Sequence, residues 1–338
     1  MTRLDITRQQ ILAFRRRVGG LDQRLRPGRQ SIRQAAWAGL QDSMPRAALL
    51  SLHARVEGTE PTALDDPSLV QLWGPRYSVF VVAARDQAVF SLGRMPDAGA
   101  KKRLAEALTA RLATVLDGRE LPIRETARAL GESHNMLRYA TLTGRILIRW
   151  DGARQPLIRV ASPPNVDPSR TRLDLARRYV RVYGPTTPDA FVRWAGIDRR
   201  QGLTTFESLR KELAAVRTPM GDAWILAEDE PAFRADAGPV APARLLPSGD
   251  AYTLLQGRDR ELLVAERERR DSLWTSRVWP GAVLVDGDIV GIWRRSQHHL
   301  TIEAWRPLSR AARTVVEAEA ASLPLPGIDR AITVRWEG

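Results

Sequence analysis

The order of secondary-structure patterns along the chain constrains its fold more than any other feature. Apolar helical patterns followed by a short β-rich stretch occur three times before residue 243. The clearest copy has apolar residues at helical spacing over 100–116, a short helix ended by Gly131, and two β-rich runs joined by Asp151-Gly152. Helix, helix-turn-helix and β-hairpin in this order predict a winged-helix unit.

The same order predicts one unit before this copy and one after it. In the earlier unit, helical patterns and a final strand fall at residues 7–19, 30–40, 45–57 and 76–82. Pro45 suits the first turn of the third of these helices. In the later unit, the corresponding segments are residues 171–183, 187–194, 202–215 and 223–226. The copies share an architecture with little sequence identity, which is typical of a structural repeat.

From about residue 243 the pattern becomes β-like. Short apolar runs fall at Leu254, Leu262–Val264, Ala282–Val285, Ile289–Trp293 and Leu300–Trp305, with a helix predicted over 308–322 and a last strand at Ile332–Trp336. Asp286-Gly287 reads as a hairpin turn. We therefore expect an α+β, mainly α chain: winged-helix units at 1–97, 98–165 and 166–242, and a domain resembling a small β-barrel or curved sheet at 243–338.

The charge of the chain indicates a polyanionic partner. The formal net charge is +13, and arginine, whose planar fork grips phosphate oxygens in pairs, far outnumbers lysine. A basic protein of this kind is expected to bind nucleic acid. The alternative is a genome rich in G and C, which fills protein surfaces with arginine without any function.

Composition excludes several other classes of protein. The chain has no cysteine, so disulfides, thiolate-bound zinc and cysteine catalysis are ruled out. Its apolar runs are too short to span a bilayer, and the N-terminus lacks the apolar core of a signal peptide. We expect a cytoplasmic protein associated with the nucleoid and with no membrane partner.

Two basic clusters are candidates for DNA contact. A helix predicted over 133–145, with Ser133 as its N-cap, would carry a basic face opposite Leu137 and Ala140. Its polar face would consist of His134, Arg138, Thr141 and Arg145, and the following hairpin would add Arg149, Trp150 and Arg154. A solvated arginine-rich surface is the alternative for this helix.

The second cluster, Arg294, Arg295, His298 and His299, is predicted to lie on or near a loop between strands. A polar loop on phosphates or in solvent is favoured over a metal site, because cysteines and nearby acidic residues are lacking. A third histidine, His53, lies beside the apolar face of its helix and is predicted to be a core residue.

Candidates for catalysis are few. The chain has no glycine-rich phosphate loop and no nucleophile elbow, and its carboxylate pairs at Asp65-Asp66 and Glu228–Glu230 look like loop residues. The polar turn between two apolar helical patterns remains. There Gln41 and Ser43 can hold a water molecule, and Asp42 is a candidate proton acceptor.

Several stretches of the chain resemble the bacterial winged-helix DNA glycosylases of the AlkZ and YcaQ type. These stretches are Leu40-Gln41-Asp42-Ser43-Met44-Pro45 with Ala47–Leu50, Leu72-Trp73 with Arg76, Leu175–Tyr179 through Tyr183-Gly184-Pro185, Val283–Gly287, Gly291–Arg295 and Arg306–Ser309. Each is modest alone, but their order is fairly specific and covers most of the chain. The resemblance implies three winged-helix units in a C-shaped arrangement with a β-barrel.

The resemblance also implies an active site at the polar turn. The family pattern is Gln-x-Gln or Gln-x-Asp, so Gln41 matches its first position, whereas Ser43 departs from the second. A serine can only hydrogen-bond the attacking water, which leaves Asp42 as a possible assistant. Contacts with DNA are expected nearby at Arg46, Arg76 and Tyr77; Tyr77-Ser78 replaces the Gly-Thr usual in the family.

Two functions follow from these observations. The first is a glycosylase that removes bulky alkylated purines from double-stranded DNA and unhooks interstrand crosslinks. The second is a non-catalytic winged-helix DNA-binding protein, which binds lesions or regulates transcription. Hydrolysis of an activated glycosidic bond needs only water, so no metal or organic cofactor is implied. We expect the protein to act as a monomer.

Overall fold

A computed structural model of the chain describes residues 3–44, 46–152, 154–236, 238–328 and 330–337. Within these ranges helices are mixed with three β-sheets. The prediction for Pro45 lies outside the described residues. None of the described helices combines the length and apolar character needed to cross a bilayer.

The first part of the chain carries the polar turn on a short strand between two helices. Its elements are β1 (Leu4–Asp5), α1 (Arg8–Val18), α2 (Arg29–Ala35), β2 (Leu40–Gln41), α3 (Ala47–His53), β3 (Leu69–Trp73), β4 (Val79–Ala83) and α4 (Gln87–Phe90). Thr7 and Gln10 form a capping box at α1. The strand predicted from residue 76 begins only at Val79, because Arg76 and Tyr77 adopt left-handed backbone conformations in the preceding 3-10 turn.

The next part follows the predicted order, with one difference. Its elements are α5 (Ala100–Leu116), β5 (Leu121–Pro122), α6 (Ile123–Leu130), β6 (Ile146–Arg149) and β7 (Leu157–Val160). The predicted α-helix over 133–145 is wrong: the chain forms turns and a 3-10 helix at Met136–Thr143. Ser133 accepts a hydrogen bond from the backbone N–H of Asn135, two residues on, as an N-cap residue does, but the helix that follows is of the 3-10 type.

The third part again has helices followed by a hairpin. It consists of α7 (Pro168–Tyr183), α8 (Pro188–Ala195), α9 (Arg199–Ser208), β8 (Leu213–Thr218), β9 (Gly221–Leu226) and α10 (Glu230–Arg234). Thr187 caps α8, and Gly196 ends it in a left-handed conformation. The hairpin β8–β9 is extended by β1, which pairs in parallel with β8. The strand β1 is therefore part of the same sheet as the hairpin β8–β9.

The C-terminal part is an open sheet. Its elements are β10 (Ala243–Leu246), α11 (Asp259–Leu263), α12 (Arg267–Leu273), β11 (Gly281–Val285), β12 (Asp288–Ser296), β13 (His299–Ala304), α13 (Arg310–Ala321) and β14 (Thr333–Glu337). In sheet order, β10-β11-β12-β13-β14, the described edge strands do not pair with each other. The expected barrel is therefore not closed. Helix α13 connects β13 to β14, and β14 pairs in parallel with β13, so β14 lies at an edge of the sheet.

Of three further sequence predictions for this part, two are wrong and one is confirmed. The run Leu262–Val264 was expected to be β-like, but it ends α11, because a short apolar run does not distinguish a strand from a buried helix segment. Leu254 lies in a turn. The hairpin turn at Asp286-Gly287 is confirmed, with positive φ at both residues.

One sheet joins the first and second parts of the chain. Its strand order is β2-β4-β3-β6-β7-β5, and the junction is a pairing of Gln71 with Ile148. This sheet brings the polar turn that follows β2 close to the loop at 150–156 between β6 and β7. The division into units at 1–97, 98–165, 166–242 and 243–338 remains a prediction.

Candidate active site

The polar turn leaves the sheet immediately after β2. Gln41 pairs with Phe80 on β4, and the backbone N–H of Asp42 donates to the carbonyl of Val79 over 2.7 Å. Gly39, which precedes the strand, has a φ of +77°, and a Cβ there would lie 2.8 Å from the ring of Phe90. Glycine is needed at this close approach, so the entry to the turn is sterically defined.

Gln41 presents an unsatisfied polar atom. Its side chain is half-buried, and its carbonyl Oε1 is buried without a hydrogen bond from any residue that the structure describes. Leaving such an acceptor unpaired costs about 1–3 kcal/mol. An amide oxygen without a partner can accept a hydrogen bond from water or face a developing positive charge once the atoms that cover it move aside.

Asp42 is buried rather than open to solvent, with 3% of its surface exposed. Its Oδ1 accepts the backbone N–H of Ala48 over 3.0 Å, and its Oδ2 accepts Nε2 of Gln71 over 2.9 Å. Burial raises the pKa of Asp42 to about 7, although the hydrogen bonds from Ala48 and Gln71 and the charge of Arg46 act in the opposite direction. The carboxyl group therefore caps the first turn of α3 and holds the polar turn in place.

Gln71 extends this contact to the loop at 150–156. Its Oε1 accepts the backbone N–H of Trp150 over 2.6 Å, and its Nε2 also donates to the Trp150 carbonyl over 3.1 Å. A single amide thus connects the Asp42 carboxyl group to the backbone of the hairpin loop. Ser43, by contrast, is exposed, and Arg46 is half-buried with a φ of +67°.

A second buried carboxylate contacts the other end of α3. Asp250, 1% exposed, accepts two hydrogen bonds from the guanidinium of Arg55 over 2.7 and 2.8 Å and one from the hydroxyl of Ser51 over 2.6 Å. Burial opposes ionisation, but the charge and hydrogen bonds of Arg55 lower the pKa of Asp250 overall. An ion pair of this geometry fixes the C-terminal part of the chain to α3.

The candidate DNA contacts of the second part do not share one helical face. His134 is exposed, Arg138 and Arg145 are half-buried, and Thr141 is completely buried. His134 and Arg145 lie outside the 3-10 helix, and Thr141 within it faces the core, so the set does not form one exposed face. The predicted basic face is therefore incorrect as a geometric unit.

The hairpin candidates lie at the loop connected to Gln71. Arg149 is exposed and pairs with Glu120 over 2.7 Å. The half-buried Trp150 donates its Nε1 to the carbonyl of Arg154, whose side chain is exposed. The backbone of Trp150 is thus connected to the polar turn through Gln71, while the side chains of Arg149 and Arg154 are exposed.

Arg76 and Tyr77 lie at contacts between parts of the chain. The backbone of Arg76 faces Gly196 at the end of α8, and burial lowers the pKa of its guanidinium. The ring of Tyr77 packs 4.9 Å from that of Tyr139, and burial raises its pKa to about 12. In this arrangement Tyr77 serves packing, and its hydroxyl is not exposed to a phosphate.

The cluster of arginines and histidines is at the hairpin of β12 and β13. Arg294 and Arg295 are on β12, and His299 begins β13. The rings of His298 and His299 are 3.8 Å apart, and Nδ1 of His299 lies 2.6 Å from the hydroxyl of Thr333. Among the described residues no group of three or more metal-binding side chains occurs. His53 is a buried core residue, as predicted.

Sequence reasoning missed two kinds of functional residue. Gln71 interrupts an otherwise apolar strand, and that polar position was a usable signal; Gly249, which lies against Gln41, gave none. It also explained the arginine excess only by nucleic-acid binding or by genome composition, whereas seven arginines of the described part of the chain are buried. These are Arg15, Arg16, Arg55, Arg94, Arg172, Arg178 and Arg244.

Comparison with known proteins defines the class of protein. The profile of the AlkZ-like family, described as DNA glycosylase AlkZ-like, matches residues 35–324. The chain belongs to the AlkZ-like family of DNA glycosylases, hydrolases that act on N-glycosyl bonds in DNA repair.

Two individual comparisons agree with this assignment. The interstrand DNA cross-link repair glycosylase of Streptomyces sahachiroi is 23% identical over 361 aligned positions, which cover 93% of this chain and 94% of that protein. The solved structure of the DNA glycosylase AlkZ of the same organism superposes with a TM-score of 0.79 at 20% identity, covering 99% of this chain and all of that one. At this identity the structural match establishes the fold.

Proposed function

We propose that this glycosylase removes bulky alkylated purines from double-stranded DNA and unhooks interstrand crosslinks, with Gln41 orienting the attacking water. The buried, unpaired carbonyl oxygen of Gln41 carries the proposal. The name of the Streptomyces relative, a cross-link repair glycosylase, supports the choice of substrate.

The reaction requires little acid–base chemistry from the protein. A purine alkylated on a ring nitrogen carries positive charge and leaves readily, so the sugar becomes cation-like in the transition state. The carbonyl oxygen of Gln41 can accept a hydrogen bond from water, and its negative end can face the developing positive charge of the sugar. Ser43, exposed on the same turn, adds a hydrogen bond to the water.

Asp42 has a positioning role in this proposal. Both of its carboxylate oxygens accept hydrogen bonds from the fold, from Ala48 and from Gln71, and its surface is almost entirely covered. Activation of water by Asp42 would need these bonds to break. The carboxyl group therefore sets the orientation of the turn that carries Gln41 and Ser43.

The finer architecture belongs to the same proposal. We infer three winged-helix units in a C-shaped arrangement that bind duplex DNA as a monomer. Arg46 and the loop at 150–156 lie beside the turn, and the β12–β13 hairpin supplies the second basic cluster. Phosphate contacts from these arginines would make affinity fall steeply with salt.

The test uses three duplexes of one sequence: undamaged, with a single N7-alkylguanine, and with an interstrand crosslink through two alkylated guanines. After incubation with the full chain, alkali cleaves abasic sites and a denaturing gel separates crosslinked from free strands. We expect cleavage at the alkylguanine, separation of the crosslinked strands, and no reaction with undamaged DNA.

The other outcomes are equally informative. Cleavage at the alkylguanine without strand separation would contradict the crosslink part alone. Tight binding of all three duplexes without abasic product would contradict the proposal and favour a non-catalytic DNA-binding protein. Because Ser43 departs from the family pattern, a non-catalytic DNA-binding protein is the main alternative to the proposed function.

A further inference from the structure

The side chain of Gln41 lies against a residue from the C-terminal part of the chain. Gly249, in the turn after β10, lies against the side-chain amide of Gln41. A Cβ built on Gly249 would lie 3.0 Å from Nε2 and 3.3 Å from Cδ of Gln41, and the φ of Gly249 is +75°. Any other residue would strain the backbone here, and its Cβ would crowd the amide so that Gln41 has to shift by a few tenths of an ångström.

The neighbour of Gly249 attaches the turn after β10 to the helix that follows the polar turn. Asp250 accepts hydrogen bonds from the two terminal guanidinium nitrogens of Arg55, the hydroxyl of Ser51 and the backbone N–H of Tyr252. Ser51 lies on α3, and Arg55 follows it closely. Asp42, next to Gln41, caps the first turn of α3, and Asp250, next to Gly249, contacts Ser51 on the same helix. Both neighbours of the Gln41 amide are therefore attached to α3.

A buried ion pair is weak as a source of stability but strong as a geometric constraint. Removing two charges from water is costly, and their attraction repays this only with good geometry and additional hydrogen bonds. Asp250 meets both conditions, since its two oxygens accept four hydrogen bonds. Such a pair holds the adjacent backbone at a fixed distance from Gln41.

We infer that Gly249 is a positioning residue that orients the Gln41 amide, and that Asp250 holds it in place. The active site is then assembled from both ends of the chain, and neither end suffices alone. The inference rests on the proposed role of Gln41 as the residue that orients water. It concerns the position of the amide, whereas that role concerns the chemistry of the amide.

The experiment compares Gly249→Ala with Gly118→Ala in the full chain. Gly118 has a φ of +73°, and nothing lies within 4 Å of its Cβ position, so the control reproduces the backbone strain without the steric contact. We expect Gly249→Ala to lower the single-turnover rate of alkylguanine removal about tenfold relative to the control, because small displacements of catalytic groups are costly. The Kd for duplex DNA should be unchanged.

A second pair of variants guards against loss of folding. Gly249→Asn and Gly118→Asn carry a residue that tolerates the left-handed conformation yet still has a Cβ. The same tenfold difference in rate is expected between them, with similar melting temperatures. A decrease in melting temperature for both Gly249 variants, with rates equal to their controls, would show a purely structural role and overturn the inference.

A double-mutant cycle separates this inference from the function on which it rests. If Gly249 acts through Gln41, adding Gly249→Ala to Gln41→Ala should cause no further loss of rate. Additive losses would overturn the inference while leaving the role of Gln41 intact. Conversely, a wild-type rate in Gln41→Ala alone would contradict the proposed function, whatever Gly249→Ala does.

Discussion

Two buried carboxylates hold α3, and they differ in what faces them. Asp42, near the start of the helix, accepts hydrogen bonds from the uncharged groups of Ala48 and Gln71 among the residues that the structure describes, and burial raises its pKa to about 7. Asp250, which contacts the helix from the C-terminal part, faces the Arg55 guanidinium, and its pKa is lowered. The two side chains are similarly inaccessible, so the partner decides the charge.

This difference gives the two sides of the Gln41 amide different rigidity. The Gly249 side is fixed by a charge-assisted, two-pronged contact between Asp250 and Arg55, which is stronger than neutral hydrogen bonds. The side made by the polar turn depends on neutral bonds and continues through Gln71 to the loop at 150–156. A fixed side therefore faces a more adaptable one that is connected to a candidate DNA contact.

The largest effect is expected from breaking the charged side. Asp250→Ala leaves Arg55 buried without its counter-charge, which should lower the free energy of unfolding by roughly 3–5 kcal/mol. Urea denaturation measures this change. Glu212→Gln, which breaks the exposed pair with Arg177, serves as the control and should cost about 1 kcal/mol or less. A similar small cost for both variants would remove the contrast between the two carboxylates.

The contribution of Asp42, whose hydrogen-bond partners among the described residues are uncharged, is distinguished by the pH dependence of the free energy of unfolding. With a raised pKa, folded Asp42 retains its proton where the unfolded side chain has lost it, so stability falls as pH rises from the ordinary value towards about 7. Asp42→Asn does not titrate. Relative to wild type, its free energy of unfolding should therefore increase across this window and level off above it, as urea denaturation at a series of pH values would show.

His53, at the other end of α3, should give a pH dependence of stability opposite to that of Asp42. Burial, with the charges of Arg24 and Arg244, lowers the pKa of His53 to about 4, so the unfolded state binds the proton first and stability falls as pH decreases below 6.5. Relative to wild type, His53→Gln should gain stability on acidification. The same trend in both variants would contradict the assigned charge states.

A smaller effect is expected from the connection to the hairpin loop. Gln71→Leu removes the acceptor of the Trp150 backbone N–H and one donor to Asp42, at a cost of about 1 kcal/mol. Hydrogen exchange at the amide of Trp150 should accelerate, while amides of β10 to β13 remain protected. Unchanged exchange at Trp150 would show that other contacts hold the loop.

Local signals allowed much of the fold to be predicted. Helix α5, the ends of α6 and α8 at Gly131 and Gly196, and the turn at Asp286-Gly287 depend on neighbouring residues and agree with the structure. The helix type of segment 133–145 was predicted incorrectly, because apolar spacing over so short a segment does not distinguish a 3-10 helix from an α-helix. The barrel was predicted incorrectly because strand order depends on where α13 returns the chain.

The sequence singles out only those candidate-site residues that are neighbours along the chain. Gln41 and Ser43 stand out in the sequence as polar residues between helices, and the family resemblance singles out Gln41. The contacts of Gln71, Gly249 and Asp250 with the turn or with α3 come from distant parts of the chain. No periodicity or spacing reports such contacts, because they depend on how the sheets pack together.

The single-turnover rate of alkylguanine removal by Gln41→Ala tests the central claim most directly. Gln201→Ala is the matched control, since Gln201 is also half-buried with an unpaired carbonyl oxygen but lies on α9. The account predicts a loss of about 100-fold or more for Gln41→Ala at unchanged DNA affinity, and a rate near wild type for Gln201→Ala. Equal rates for wild type and Gln41→Ala would contradict it.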